Sequence, residues 1–156
     1  MKKLVLLALV CFLAPSVYAS LEETISDTSA SIVVIESDSS QGSGVLIGSS
    51  GLIVTNLHVL EDADDLWVRT HSGERFDDVS VIDFDQVKDI ALLKIKGFDL
   101  PTATLGNSNS ARSGQSVIAI GAPKGLEQTV SRGIVSAIRV MDAGFKTIQT
   151  LSLIHI

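Results

Sequence analysis

Residues 42–60 read GSGVLIGSSGLIVTNLHVL and contain the clearest indication of the fold. It contains two short apolar runs, 44–48 and 51–55, which meet at the sequence Ser49-Ser50-Gly51. Short runs of branched residues on either side of a glycine-containing turn are typical of a β-hairpin. His58 follows the second run, on a short turn past the predicted end of the strand. The stretch therefore predicts two antiparallel strands that lead into a histidine.

Further short segments rich in Val, Ile and Leu recur on both sides of this hairpin. Glycine, serine, asparagine and aspartate separate them, which is the signature of an antiparallel barrel or sandwich. A second tight turn is predicted at His71-Ser72-Gly73-Glu74. Six such strands would complete one small barrel. We predict them at residues 31–36, 44–48, 51–55, 66–70, 76–83 and 90–96.

A break in the strand pattern follows residue 96. Residues 97–101, GFDLP, end on a proline, which removes a backbone donor and restricts the residue before it. We interpret 97–115 as a linker between two barrels. Three more strands, which do not close a barrel, are predicted at 116–121, 128–139 and 146–150. The expected fold is all-β, with a complete six-stranded first barrel at 31–96 and the start of a second at 116–150.

The N-terminus has the pattern of a secretory signal peptide. Met1-Lys2-Lys3 is basic, Leu4 to Ala14 is apolar, and Val17-Tyr18-Ala19 is small at both positions that a signal peptidase reads. The apolar run is short for a membrane span, although an uncleaved anchor is the alternative. We predict that residues 1–19 are removed and that the mature chain begins at Ser20.

Composition narrows the class of protein. The chain has 12 basic and 18 acidic side chains, and loss of Lys2 and Lys3 with the signal peptide would take the net charge from −6 to −8. The single cysteine, Cys11, would leave as well, so the mature chain would be neither a disulfide scaffold nor a thiol enzyme. No clustered basic surface is present for nucleic acid, and no second apolar stretch is long enough for a membrane. We expect a soluble extracytoplasmic protein with a lead at 20–30, either a short helix or a flexible segment.

His58 is the first candidate for chemistry. An imidazole that follows a strand on a short turn can face a cleft and titrate near neutral pH, as a general base must. A surface or capping histidine is the alternative for this residue taken alone.

Asp89 is the second candidate. It is the last acidic residue before the apolar run 90–96, so its carboxylate would be partly buried at the entrance of a strand. A buried carboxylate needs a donor, and an imidazole N–H would serve. The alternative is a turn aspartate that caps its own backbone, the role that we predict for Asp83 and Asp85.

The pair resembles two thirds of a His, Asp, Ser triad in chymotrypsin order. Thr55-Asn56-Leu57-His58-Val59 is similar to the Thr-Asn-x-His-Val of HtrA/Deg trypsin-like serine proteases, and Asp89-Ile90-Ala91-Leu92-Leu93 to their Asp-Ile-Ala-x-Leu. The resemblance extends over about residues 31–150. It includes the blocks Leu105-Gly106-Asn107-Ser108, 114–123 and Gly133-Ile134-Val135-Ser136-Ala137.

The resemblance implies a chymotrypsin-like double β-barrel and endopeptidase activity on misfolded extracytoplasmic polypeptides. His58 would be the catalytic base and Asp89 its orienting acid, and no metal or organic cofactor would be needed. Relatives of this kind often form homotrimers and carry PDZ domains.

The nucleophile of the family pattern does not appear in this sequence. After Ile148-Gln149-Thr150 the family continues into Asp-Ala and then Gly-Asn-Ser-Gly-Gly, whereas this chain reads LSLIHI at 151–156. We interpret these six residues, His155 included, as a foreign or frameshifted tail on a chain truncated before its catalytic serine. A noncatalytic pseudoprotease or chaperone-like binding protein is the alternative, although such a protein would be expected to complete its second barrel.

Three further features of the sequence could be mistaken for functional sites: an acidic run, a glycine-containing loop and a set of serines. The acidic run 61–65 beside His58 is interpreted as a solvated loop rather than a metal site. Residues 121–125, GAPKG, lack the spacing of a phosphate loop and are expected to approach the active-site cleft. Of the serines that might be mistaken for the nucleophile, Ser108 is interpreted as a turn residue and Ser131 and Ser136 as strand-end residues. Ser152 comes too soon after Thr150 to match the family pattern.

Overall fold

The computed structural model describes residues 20–38, 40–61, 63, 65–121 and 129–152. The one α-helix in these ranges, α1, spans Leu21–Ala30. Ser20 caps it, because its hydroxyl accepts a hydrogen bond from the N–H of Glu23 at 3.0 Å while the Glu23 carboxylate accepts from the N–H of Ser20. Of the two alternatives for the lead, the structure therefore contains the helix. In the described part of the chain, no helix is long and apolar enough to cross a membrane.

The first sheet is curled and has seven strands in the order β5-β4-β1-β2-β3-β7-β6, all antiparallel. The β2–β3 hairpin turns at Gly51, whose φ of 95° lies in the left-handed region and where a Cβ would collide with the Ile95 carbonyl. The strands are β1 Ile32–Ser37, β2 Gln41–Gly48, β3 Leu52–Thr55, β4 Leu66–Arg69, β5 Arg75–Phe76, β6 Val79–Asp85 and β7 Ile90–Ile95.

The predicted strand 76–83 is divided in the structure, which gives the first sheet seven strands rather than six. Residues 77 and 78, both aspartates, separate β5 from β6. The physical reason is a change of partner: β5 pairs with β4 at one edge of the sheet, and β6 pairs with β7 at the other. One extended segment, 75–85, thus joins the two edges of the curled sheet, and β6 also contacts β4.

The core lies inside this curled sheet. Burial alternates along β7, where Ala91, Leu93 and Ile95 point inward, as expected for a sheet with one solvated face. Side chains from β1, β2, β3, β4 and β7 meet in the interior together with Val59. The buried cluster is Val33, Ile35, Leu46, Ile53, Val59, Val68, Leu93 and Ile95.

The second sheet has three antiparallel strands in the order β10-β9-β8. They are β8 Ser116–Gly121, β9 Thr129–Val140 and β10 Lys146–Ser152. β10 runs two residues past the predicted strand end, since Leu151 pairs with Ile134 and Ser152 with Gly133. Among the described residues of this sheet, Val135 is the one buried apolar side chain. The all-β prediction of a chymotrypsin-like fold with a partial second barrel is confirmed by the two sheets.

Candidate active site

His58 lies on a short 3-10 helix, Leu57–Leu60, which begins where β3 ends. The next residue, Val59, is buried and packs on Gly42 of β2, so this turn is fixed to the core. The side chain of His58 points outward and is 62% exposed. Val59 anchors the turn in the core, while the imidazole of His58 is accessible from solvent. A side chain placed in this way can contact a bound substrate.

Asp89 lies at the end of the turn that joins β6 to β7. Its φ of 54° is in the left-handed region, which aspartate tolerates better than most residues and which costs on the order of 1 kcal/mol. Asp85 closes the same turn, because its Oδ1 accepts from the N–H groups of Val87 and Lys88, both at 3.1 Å. Asp85 thus has the turn role that the sequence predicts, whereas Asp83, for which the same role is predicted, lies within β6.

The sheet register brings these two segments together. β3 pairs with β7 so that Thr55 lies opposite Ala91, and the residues just beyond this pair are therefore neighbours. His58 Nδ1 lies 2.6 Å from Asp89 Oδ2, and the backbone N–H of His58 donates to Asp89 Oδ1 at 2.9 Å. The two predicted site residues are thus within hydrogen-bond reach of each other.

The surroundings favour the ionised form of Asp89. The hydrogen bond from the His58 backbone N–H is the largest cause that lowers the pKa of Asp89, followed by the bond with the His58 ring, and a bond from Asn56 adds to them. A carboxylate at Nδ1 requires that nitrogen to carry a proton, so a neutral ring leaves Nε2 unprotonated. The arrangement presents a proton acceptor to solvent.

Asn56 is a member of the site that the sequence reasoning did not assign. Its side-chain Nδ2 donates to the backbone carbonyl of Asp89 at 3.0 Å and to Asp89 Oδ2 at 3.2 Å. The only indication in the sequence that Asn56 belongs to the site is its position inside the Thr-Asn-x-His-Val motif. That motif gave no reason to connect an asparagine with a residue 33 positions later.

The other candidate residues lie apart from this pair or outside the described ranges. His71 is exposed on the turn before β5, and Ser108 lies in a 3-10 turn, Ser108–Ser110. The Ser136 hydroxyl donates to the carbonyl of Gln149 at 3.0 Å, which is a cross-strand role. Ser131 is part of β9, and the backbone of Ser152 belongs to β10.

Some predictions fall on residues that the structure does not describe. These are the signal peptide at 1–19, residues 122–125 of the predicted cleft loop, part of the acidic run 61–65, and His155 in the tail. Among the residues that the structure does describe, no group of three or more His, Cys, Asp or Glu side chains could hold a metal ion.

Comparison with known proteins identifies the class. The model of the trypsin-like peptidase domain matches residues 42–155. A probable periplasmic serine endoprotease, DegP-like, from Pseudomonas savastanoi pv. phaseolicola is 47% identical over 98 residues, which cover 63% of this chain and 20% of that relative.

Solved structures of serine proteases have a fold similar to that of this chain. The HtrA-type protease AlgW with a tripeptide has a TM-score of 0.72 and 34% identity, over 76% of this chain and 40% of that chain. The serine endoprotease from Yersinia pestis has a TM-score of 0.70 and 32% identity, over 78% of this chain and 46% of that chain.

The chain belongs to the trypsin-like peptidase family, and its relatives and structural neighbours make it a member of the HtrA type. The resemblance drawn from its motifs is thereby confirmed. The chain spans about a fifth of the length of the curated relatives that it matches.

Proposed function

We propose that this chain is part of a serine-type endopeptidase in which His58 is the general base and Asp89 its orienting acid. The observation that carries the proposal is the 2.6 Å contact between His58 Nδ1 and Asp89 Oδ2. This contact engages Nδ1 of the His58 ring and leaves Nε2 available to accept a proton from a hydroxyl nucleophile. That is the division of roles between the histidine and the aspartate of a protease triad.

In the proposed reaction a serine hydroxyl attacks the peptide carbonyl while His58 Nε2 accepts its proton. The imidazolium that forms is stabilised by Asp89, which keeps its negative charge. His58 then donates the proton to the leaving amine, and a water molecule hydrolyses the acyl-enzyme by the same route. The serine, and the backbone N–H groups of an oxyanion hole, would come from a Gly-Asn-Ser-Gly-Gly segment that this sequence does not contain.

We further propose that the substrates are unfolded or misfolded polypeptides outside the cytoplasm. Support comes from relatives named as periplasmic endoproteases and from a neighbouring structure with a tripeptide. The predicted signal peptide at 1–19 supports the same location. A homotrimer, as the family resemblance implies, belongs to this proposal for the intact protein, and no cofactor is required by the chemistry.

Activity measurements on two polypeptides test this function. Purified residues 20–156 should neither degrade unfolded casein nor take up a fluorophosphonate label, and His58→Ala should change neither result. A gene product that continues from Thr150 into Gly-Asn-Ser-Gly-Gly should do both. In that longer product His58→Ala should lower turnover by about a millionfold, the size of the loss when the histidine of a subtilisin triad is removed.

Two outcomes would contradict the proposal. Casein degradation by the longer product that survives His58→Ala would remove the histidine from the mechanism. A genomic reading frame that ends at Ile156, in a protein that binds unfolded casein without cleaving it, would instead favour the noncatalytic binding protein.

A further inference from the structure

We propose that Asn56 is a positioning residue, whose side-chain amide holds Asp89 in the arrangement that presents its Oδ2 to His58. The catalytic meaning of this inference rests on the proposed function. The structural claim does not, because it concerns hydrogen bonds that are measurable in the chain as it stands.

The contacts of the amide define its role. Asn56 Nδ2 lies 3.0 Å from the backbone oxygen of Asp89 and 3.2 Å from its Oδ2. Both partners are acceptors, so the NH₂ group must face them, because the amide oxygen in that place would be repelled by both. One side chain thus binds the backbone and the carboxylate of the same aspartate.

The usual reason for an asparagine at this position is absent. Asn56 is the N-cap residue of the 3-10 helix, where asparagine commonly accepts a hydrogen bond from the backbone of the first turn. Here its side chain makes no capping bond. The amide is committed to Asp89 instead, so local helix capping does not account for the residue.

Asp89 needs such a partner because of its conformation and exposure. Its backbone is left-handed, with φ of 54°, and its side chain is 43% exposed, so water competes for both carboxylate oxygens. The His58 backbone N–H holds Oδ1, while Oδ2 is shared between Asn56 and the His58 ring. Because the Asn56 amide binds both the backbone oxygen and Oδ2 of Asp89, it fixes the orientation of the carboxylate relative to the Asp89 backbone.

Nitrogen NMR on the histidine rings tests the inference directly. With ¹⁵N-labelled histidine, neutral His58 in the wild-type chain should be mainly the Nδ1–H tautomer. In Asn56→Ala the Nδ1–H fraction should fall, and the midpoint of the Asp89 carboxyl titration should rise because a bond to the ionised form is lost. A residue that supports only the turn would change amide shifts without moving the tautomer ratio.

Two further variants keep the result interpretable. Asn56→Asp preserves the shape but presents a carboxylate to two acceptors, so it should lower the Nδ1–H fraction at least as much. Asn107→Ala is the matched control, because it removes an asparagine that bonds locally, to the N–H of Asn109 at 3.1 Å. It should leave His58 unchanged. Core amide spectra show that each variant is folded.

The possible outcomes separate the two proposals. A wild-type Nδ1–H preference that persists in folded Asn56→Ala and Asn56→Asp would overturn the role of Asn56 and leave the proposed function intact. Absence of that preference in the wild type would contradict the pairing of His58 with Asp89, on which both proposals depend.

Discussion

Asp89 accepts three hydrogen bonds through its carboxylate, one from Asn56 and two from His58, although the side chain is 43% exposed. These bonds favour the ionised form and lower the pKa of Asp89 below its usual value of about 4. The unfolded chain therefore binds a proton at higher pH than the folded chain. Above about pH 4 the full contribution of this carboxylate to stability is present, and it is lost as pH falls through the lowered pKa of the folded state.

Replacing the carboxylate tests this dependence. Asp89→Asn should lower the free energy of unfolding at pH 7, and the gap from wild type should shrink as pH falls below 4. Urea denaturation at pH 7 and pH 3 measures the gap. Asp83→Asn is a suitable control, because the Oδ1 of Asp83 accepts a hydrogen bond from the adjacent N–H of Phe84 at 2.8 Å rather than from His58. An Asp89→Asn gap that is the same at both pH values would contradict the linkage.

The sequence could predict the identity of the pair but not its full set of contacts. The motifs around His58 and Asp89 predicted both residues. The hydrogen bonds from the Asn56 side chain to Asp89 could not be foreseen, because they depend on where β3 ends relative to β7. No short turn joins these two strands, so their register follows from which side chains of each strand are buried in the folded sheet.

Among the secondary-structure elements, the packing of the 3-10 helix against β2 helps to fix the position of His58. A Cβ added at Gly42 would lie 2.5 and 2.6 Å from the two methyl carbons of Val59. Val59 is buried and immediately follows His58 in sequence. A displacement of Val59 would therefore move the catalytic candidate.

We expect Gly42→Ala to destabilise the protein by about 1–3 kcal/mol, the typical cost of overpacking. Gly106→Ala is the matched control, because apart from its chain neighbours no described residue lies within 4 Å of its added Cβ. It should change stability by less than about 0.5 kcal/mol. Thermal or urea unfolding measures both.

A double variant isolates the cause of that loss. Val59→Ala removes the two methyl groups that an added Cβ would meet, so Gly42→Ala should cost less in that background. Equal costs in the two backgrounds would show that the contact with Val59 is not the reason.

Strand positions were largely predictable, because alternating apolar residues mark them. The division of 76–83 was not, since the segment RFDDVSVID at 75–83 reads as one extended run. The first part of this segment pairs with β4 and the second part with β7, and this change of partner becomes apparent only in the folded, curled sheet.

At the scale of the whole molecule, burial is unevenly shared between the two sheets. The first sheet and its 3-10 helix contain ten of the eleven buried apolar residues among those described, and the second sheet contains Val135. Ile134, Ile138, Ile148 and Leu151 of the second sheet are each at least 39% exposed. A sheet with little buried apolar area has a smaller free-energy cost of local opening.

Amide hydrogen exchange should reveal this difference. Protection factors in β1, β3 and β7 should approach the limit set by global unfolding, and those in β8 and β10 should be lower. The amides of Ile53 and Ile148 are a matched pair, since both belong to strands and Ile53 is fully buried. Equal exchange rates at the two positions would contradict the expectation.

The first sheet, whose two edges are joined by segment 75–85, depends for its assembly on pairing between strands that are far apart in sequence. β3 pairs with β7 through partners such as Leu52 and Lys94, which are far apart in sequence, whereas the pairings of β4 with β5 and of β6 with β7 are local. The pairing of β3 with β7 closes a long loop before its contacts stabilise it. Refolding should therefore take milliseconds to seconds, as in other β-proteins with nonlocal pairing. We expect strand edges to stay open during that time, so the chain should be most vulnerable to aggregation before β3 has paired with β7.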